Sequence, residues 1–236
     1  MLPLRDNVPT RTFPVVTVAL IAINATVWLF YQLPNLDRSV RELAFFPCEV
    51  NTSCPPVVHP EGGWELTALT SMFMHGSWLH IAGNMLFLWI FGNNVEDALG
   101  RVRFVAFYLL GGFAATALQT WVTFHWGQPG DTAIPNLGAS GAISAVLGGY
   151  LLLLPTASVL TIVFYFFVEV PAVLFLGFWI FFQLWQGGYS IVHPEAGGGV
   201  AFFAHVGGFL FGLLTVHLFK IRDPLPPGGA RAARYR

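Results

Sequence analysis

Six apolar stretches, set apart by polar or proline-marked connections, organise the chain. They fall roughly at 14–33, 77–98, 102–126, 136–154, 170–187 and 200–220. A helix needs about 20 apolar residues to cross the hydrocarbon core of a bilayer, and these runs approach that length. The fourth is the shortest, bracketed by Pro135 and Pro155, and at roughly 28 Å it barely spans. The first lacks a small-residue cleavage site before Asn35, so it reads as a retained helix and not a signal peptide. The apolar stretch 157–170 is interrupted by Pro171 and is not a separate span. The expected fold class is an all-α membrane protein, a six-transmembrane-helix bundle with a long first outer loop. Residues 1–13 would be an N-terminal segment, 14–220 a single domain and 221–236 a C-terminal tail.

The first loop, from Pro34 to His75, holds polar residues but also Trp64, Leu66, Leu69, Met72 and Phe73. That mixture suggests short helices in the membrane interface. With an even number of spans, nine of the eleven Lys and Arg residues lie on the side of the two termini, and only Arg38 and Arg41 opposite. The positive-inside bias puts both termini in the cytoplasm, with a bacterial-type plasma membrane as the preferred location. Cys48 and Cys54 then face outward. The small ring they would close suits a disulfide in an oxidising compartment, and two free thiols are the alternative.

Composition narrows the class. Of 236 residues, 55% are hydrophobic and only 10% charged, with a formal net charge of −1. A soluble domain carries about 25% charged residues, and nucleic-acid binding calls for a clustered basic face. No internal repeat supports an inverted-repeat transporter.

The chemistry-bearing residues cluster. Spans two, four and six run in the same direction, and each carries polar residues near its outer end. Span two opens with His75, His80 and Asn84 in HGSWLHIAGN, span four with GASG at 138–141, and span six carries His205 in AHVGG. Polar groups at membrane depth are costly and mark functional sites. Ser140 and His205 make the sharpest pair, because a serine hydroxyl needs a base and a neutral imidazole supplies one. Only packing of span four on span six can join them. Ser140, Ser144 and Gly148 share one face, Gly141, Ala145 and Gly149 the next, and Gly208 and Gly212 form G-x-x-x-G beside His205. Small residues at this spacing let backbones approach closely. Read alone, Ser140 would be a small packing residue and His205 a hydrogen-bonded linker between helices; their co-location argues otherwise.

His80 and Asn84 lie one turn apart on one face and could donate to a developing oxyanion or glue helices together. His75, near the interface, is a further donor or a solvated residue. Gly138 and Gly141 are accessory candidates. No acidic residue is placed to orient His205, so a dyad is expected. No H-E-x-x-H spacing argues for a metal, and no cofactor is expected. The glycine-rich loop 187–199 suits a mobile cap or a plain connector, with His193 and Glu195 solvated. Glu96 and Asp97 form a structural cluster beside Arg101 and Arg103. His59, His125 and His217 have no evident partner, and Glu169 has no assigned role.

The strings SMFMHGSWLHIAGNMLFLWIFGNNVEDALG, GASGAISAVLGGYLLLLP and AFFAHVGGFLFG together resemble the rhomboid family of intramembrane serine proteases, over spans two to six and in the family's order. The resemblance implies that Ser140 is the nucleophile and His205 the base. It implies an oxyanion hole made by His80, Asn84 and the Ser140 backbone N–H. It also implies transmembrane proteins as substrates, cut in or near their spans. Many relatives carry Trp-Arg in the first loop, where Leu66-Thr67 stands here. In some, an aromatic ring one turn after the serine supports the histidine; here that position is Ser144, so other packing must hold His205. The alternatives are a non-catalytic relative that binds membrane-protein clients, and a small-molecule transporter with the polar residues along its pathway. The sequence does not fix an oligomeric state.

Overall fold

Helix α1 (Val15–Thr26) widens into a π-helical turn over Val27–Gln32. The computed structural model, which describes residues 2–51, 54, 55, 58, 62–193 and 201–228, then builds the first loop from short helices. These are α2 (Leu36–Leu43) and α3 (Trp64–Thr70), each side of a 3-10 turn at Pro47–Asn51. Cys48 and Cys54 are joined in a disulfide. The bundle continues with α4 (Trp78–Leu99), α5 (Arg101–Trp126), α6 (Ser140–Leu153), α7 (Ala172–Val192) and α8 (Phe202–Phe219).

Val15–Gln32, α5, α7 and α8 are long and apolar enough to cross a membrane by length and composition. Helix α4 has 22 residues but carries Asn84, Asn93, Asn94, Glu96 and Asp97. Helix α6 has 14 residues, about 21 Å. It begins at Ser140 and not near 136, because Asn136 is held extended in a bridge to Phe45. Helix α7 runs to Val192, so residues 187–192 of the expected loop are helical. Residues 194–199 of that loop lie outside the described residues, Glu195 included, as does His59.

Helix α6 is the axis of the bundle, and small residues place it there. Gly208 on α8 faces the Gly141 carbonyl and Gly212 faces that of Ala145, while Gly148 on α6 faces the Phe209 carbonyl. A Cβ at any of the three would collide with that backbone, so the two helices meet at backbone contact as the G-x-x-x-G spacing predicted. Phe91, Phe104, Phe107, Tyr108 and Tyr150 are fully buried around them. Phe30, Leu174, Phe178, Leu214 and Leu218 are exposed outward, the apolar belt of a multi-pass membrane protein.

The end of the bundle away from Ser140 contains a sheet that the hydropathy pattern did not predict. Strand β1 (Leu2–Asp6) pairs antiparallel with β2 (Ser158–Val163), which pairs antiparallel with β3 (Phe166–Pro171). The 157–170 stretch is thus a hairpin, turning at Phe164 with φ 54°. Glu169, left without a role above, points out from the exposed edge strand. The N-terminal segment is not a separate appendage, since β1 completes this sheet and Asp6 accepts hydrogen bonds from Tyr150 Oη and Asn94 Nδ2, both at 2.6 Å.

Glu96 and Asp97 anchor the same end, with partners other than those expected. Glu96 accepts from Val16 N–H (3.0 Å), Thr17 N–H (2.7 Å) and Thr17 Oγ (2.8 Å). It caps the free donors at the positive start of α1. Asp97 pairs with Arg11 (2.9 Å) and Arg222 (2.8 Å). Arg101 is exposed, and Arg103 donates to the Phe219 carbonyl. The start of the expected C-terminal tail is therefore tied to the body through Arg222.

Candidate active site

Ser140 is the first residue of α6, and His205 lies in the first turn of α8. The contact of Gly208 with Gly141, one residue from Ser140, brings the two helix starts together. Ser140 Oγ lies 2.8 Å from His205 Nε2. On the far side of the ring, His205 Nδ1 lies 2.7 Å from Gln183 Oε1 of α7. An amide oxygen only accepts hydrogen bonds, so Nδ1 carries the proton and the Nε2 lone pair faces the serine. Trp179, one turn before Gln183, places its ring 5.8 Å from the imidazole and 6.1 Å from Phe209. These residues supply the support that Ser144 cannot. Ser144 instead donates to the Ser140 carbonyl at 2.6 Å.

The pair opens into a cavity of about 750 Å³ lined by His80, Asn84, Ser140, Gln183 and His205, together with apolar Phe87 and Leu147. Helix α4 delivers its two polar residues from its first turns. Ser77 Oγ accepts from the His80 N–H and caps the helix. Gly76 N–H donates to His80 Nδ1 at 3.3 Å, leaving Nε2–H free to donate. That Nε2 faces Gly138, where a Cβ would stand 2.7 Å from it and 3.6 Å from Ser140 Oγ. Gly138 has φ 125°, a backbone that L side chains avoid. Its lack of a side chain thus keeps open the space between a donor and the serine. Asn84 is 8% exposed, and its Nδ2 has no hydrogen-bond partner among the described residues. The Ser140 N–H, at the start of α6, also lacks an intrahelical acceptor. Three donors therefore border the cavity that holds the serine, in place before any ligand arrives.

His75 belongs elsewhere. It is fully buried, outside the cavity lining, with its ring edge-on to His80 at 5.1 Å. Its backbone is clamped by Gln32, which accepts from its N–H (2.8 Å) and donates to its carbonyl (2.9 Å). It is neither a second donor to the serine nor solvated; it supports His80 from behind. Gly141 serves the α6–α8 contact and abuts Ala115 of α5. His193 ends α7, stacked on Tyr189. His125 contacts the Trp121 carbonyl on the surface.

The sequence reading missed Gln183 and Trp179, yet Gln183 carried a signal. It is the sole strongly polar side chain between Val173 and Trp185, and an isolated polar residue in a membrane helix marks a site by the argument that singled out Ser140.

Fold and site together define a multi-pass helical membrane protein with a serine–histidine pair inside its bundle. A family model described as the Rhomboid domain matches residues 62–221, more than half of the chain. The chain belongs to the rhomboid family. It is similar to Rhomboid protein 1, mitochondrial, of Saccharomyces cerevisiae, at 30% identity over 203 residues, covering 83% of this chain and 51% of that protein. It is likewise 30% identical over 218 residues to the Presenilin-associated rhomboid-like protein, mitochondrial, of Mus musculus, covering 87% and 50%. RHOMBOID-like protein 1 of Arabidopsis thaliana is 28% identical over 229 residues, covering 89% and 53%. The chain spans about half the length of these curated relatives.

Proposed function

We propose that this protein is an intramembrane serine endopeptidase that hydrolyses peptide bonds in or near the transmembrane segments of other membrane proteins. The observation that carries this reading is the 2.8 Å approach of Ser140 Oγ to His205 Nε2 inside a cavity bordered by free donors. Ser140 Oγ attacks the scissile carbonyl carbon and passes its proton to Nε2. The carbonyl oxygen takes up the negative charge and is met by His80 Nε2–H, Asn84 Nδ2–H and the Ser140 N–H. The intermediate collapses by breaking the C–N bond. His205 returns its proton to the leaving amine, and an ester on Ser140 remains. Water then gives a proton to Nε2 and attacks the ester; the C–O bond to Ser140 breaks, Nε2 returns the proton to Oγ, and the new carboxyl terminus leaves. The proposed partners are transmembrane substrates and the bilayer, and the step requires no cofactor or metal. A substrate helix must unwind to present its carbonyl, so helix-weakening and small residues are expected at the cut.

The mitochondrial names of two relatives weigh toward a mitochondrial membrane and against the bacterial-type plasma membrane expected above.

Labelling with a fluorescent fluorophosphonate, paired with cleavage of a transmembrane reporter, tests the function. Wild type should label and cut, while Ser140→Ala and His205→Ala should lose both by at least about a thousandfold. Equal labelling of all three would place the reactive group elsewhere. A folded wild type that neither labels nor cuts would turn the reading to client binding.

A further inference from the structure

We propose that Gln183 is the positioning residue of this site, orienting and setting the tautomer of His205 through its amide oxygen; this rests on the endopeptidase reading above. Four elements surround the imidazole. Helix α6 offers Ser140, α8 holds the ring, α7 contributes Gln183 and Trp179, and the histidine shares its cavity with His80 of α4. No carboxylate or cationic side chain lines that cavity among the described residues. The place that an acidic residue takes in a serine–histidine–acid arrangement is thus taken by a neutral amide, 2.7 Å from Nδ1.

The direction of this bond decides whether Ser140 has a base. With Gln183 Oε1 toward the ring, Nδ1 is protonated and Nε2 accepts the serine proton. In the other tautomer the proton would sit on Nε2, facing Ser140, and no base would remain. Gln183 is 8% exposed, so water competes poorly for Nδ1–H. A neutral amide fixes ring and tautomer but offers less to the imidazolium than a carboxylate would. Gln183 also makes the base depend on α7. That helix exposes Leu174, Phe178 and Trp185 on its outer side. A displacement of α7 away from α8 would remove the acceptor from Nδ1.

Two variants separate positioning from packing. Gln183→Leu keeps the volume and removes the acceptor; Gln183→Glu keeps the acceptor and adds charge. Turnover of a transmembrane reporter should fall about 10- to 100-fold in Gln183→Leu with KM little changed, the scale expected when a buried donor loses its partner. Gln183→Glu should retain most of the turnover and move the acid limb of its pH profile up by about one unit, because a carboxylate favours the imidazolium. A second readout needs no catalysis. In ¹⁵N-histidine spectra, with the signal assigned by its loss in His205→Asn, His205 should be the Nδ1–H tautomer in wild type and mixed or reversed in Gln183→Leu. Wild-type turnover, pH profile and tautomer in folded Gln183→Leu would overturn the proposal. Should wild type not cut at all, the endopeptidase reading falls by itself, and the tautomer comparison still decides the role of Gln183.

Discussion

The two ends of the bundle treat buried polar groups in opposite ways. At the site end, Asn84 Nδ2, Asn136 Nδ2 and both ring nitrogens of His75 have no partner among the described residues. At the closed end, Glu96 accepts three hydrogen bonds, Asp97 meets two arginines and Asp6 meets Asn94 and Tyr150. Unpaired buried donors cost stability, so the first arrangement persists only with other support, and a reaction that needs preformed donors supplies a reason for it. The second arrangement joins the chain's start, α1, α4, α6 and the segment after α8 in one network. One α-helix, α4, takes part in both, with Asn84 near its first turn and Asn94, Glu96 and Asp97 in its last turns.

The largest effect on stability should come from breaking the closed end. Asp97 is 2% exposed and its two arginine partners are a little over a third exposed. Asp97→Ala leaves both guanidinium groups near the bundle without a carboxylate, and Arg222 keeps only its Nε–H bond to the residue-97 carbonyl. The loss should be about 2–4 kcal/mol, below the full value of a deeply buried pair because water reaches the arginines. Unfolding in a graded detergent–SDS titration measures it, and turnover per folded molecule should stay at the wild-type level. A loss of turnover in the folded variant would mean that the two ends are coupled and the comparison too simple.

Asp6 gives the next effect and a pH signature. Burial raises its carboxyl from 3.8 to about 6, against the lowering effect of the Tyr150 hydrogen bond. A carboxyl with a raised value in the folded state favours folding when protonated. Its contribution is therefore fully present below about pH 4 and is lost as pH rises toward 6. A shift of that size is worth at most about 3 kcal/mol. Asp6→Asn should flatten the stability profile over that window and leave the protein more stable than wild type at pH 8. An unchanged slope between pH 4 and 6 would show that another group carries it.

How far the sequence alone reached follows the same division. The site end was legible because its residues are conspicuous where they stand. Ser140, His205, His80 and Asn84 are polar in apolar surroundings, and the small residues that join α6 to α8 keep helical spacing. The closed end was legible only in part. Glu96 and Asp97 read as structural, but their neighbours in sequence, Arg101 and Arg103, concealed their true partners, Arg11 and Arg222, which lie 86 and 125 residues away. The sheet escaped for a similar reason. Strand β2, SVLTIV, carries apolar residues on both faces and does not alternate, and its partner β1 is contributed by the chain's start. The shortened α6 reflects a loop contact, Phe45 with Asn136, that hydropathy does not encode. His75 matched the polar pattern of the site yet lies behind it, because Gln32 holds its backbone.

The smallest effects make the sharpest test, since they compare one residue type on one helix. Asn84 and Asn94 are both buried on α4, at 8% and 2% exposure. Asn94 Nδ2 donates to Asp6 Oδ2, whereas Asn84 Nδ2 donates to nothing described. Asn94→Ala should lower stability by about 1–2 kcal/mol, because it removes a buried hydrogen bond to a carboxyl group. Turnover per folded molecule should be unchanged. Asn84→Ala deletes a donor that has no partner in the resting protein, so stability should hold or rise slightly. Turnover should fall about 10- to 100-fold, the scale of a lost oxyanion donor, and chiefly in kcat, because the oxygen carries full charge only after attack. Denaturation and reporter kinetics on the two alanine variants measure all four quantities. If Asn84→Ala destabilised the fold as much as Asn94→Ala and left kcat untouched, Asn84 would be joining helices, and the two ends of α4 would differ in solvation and not in purpose.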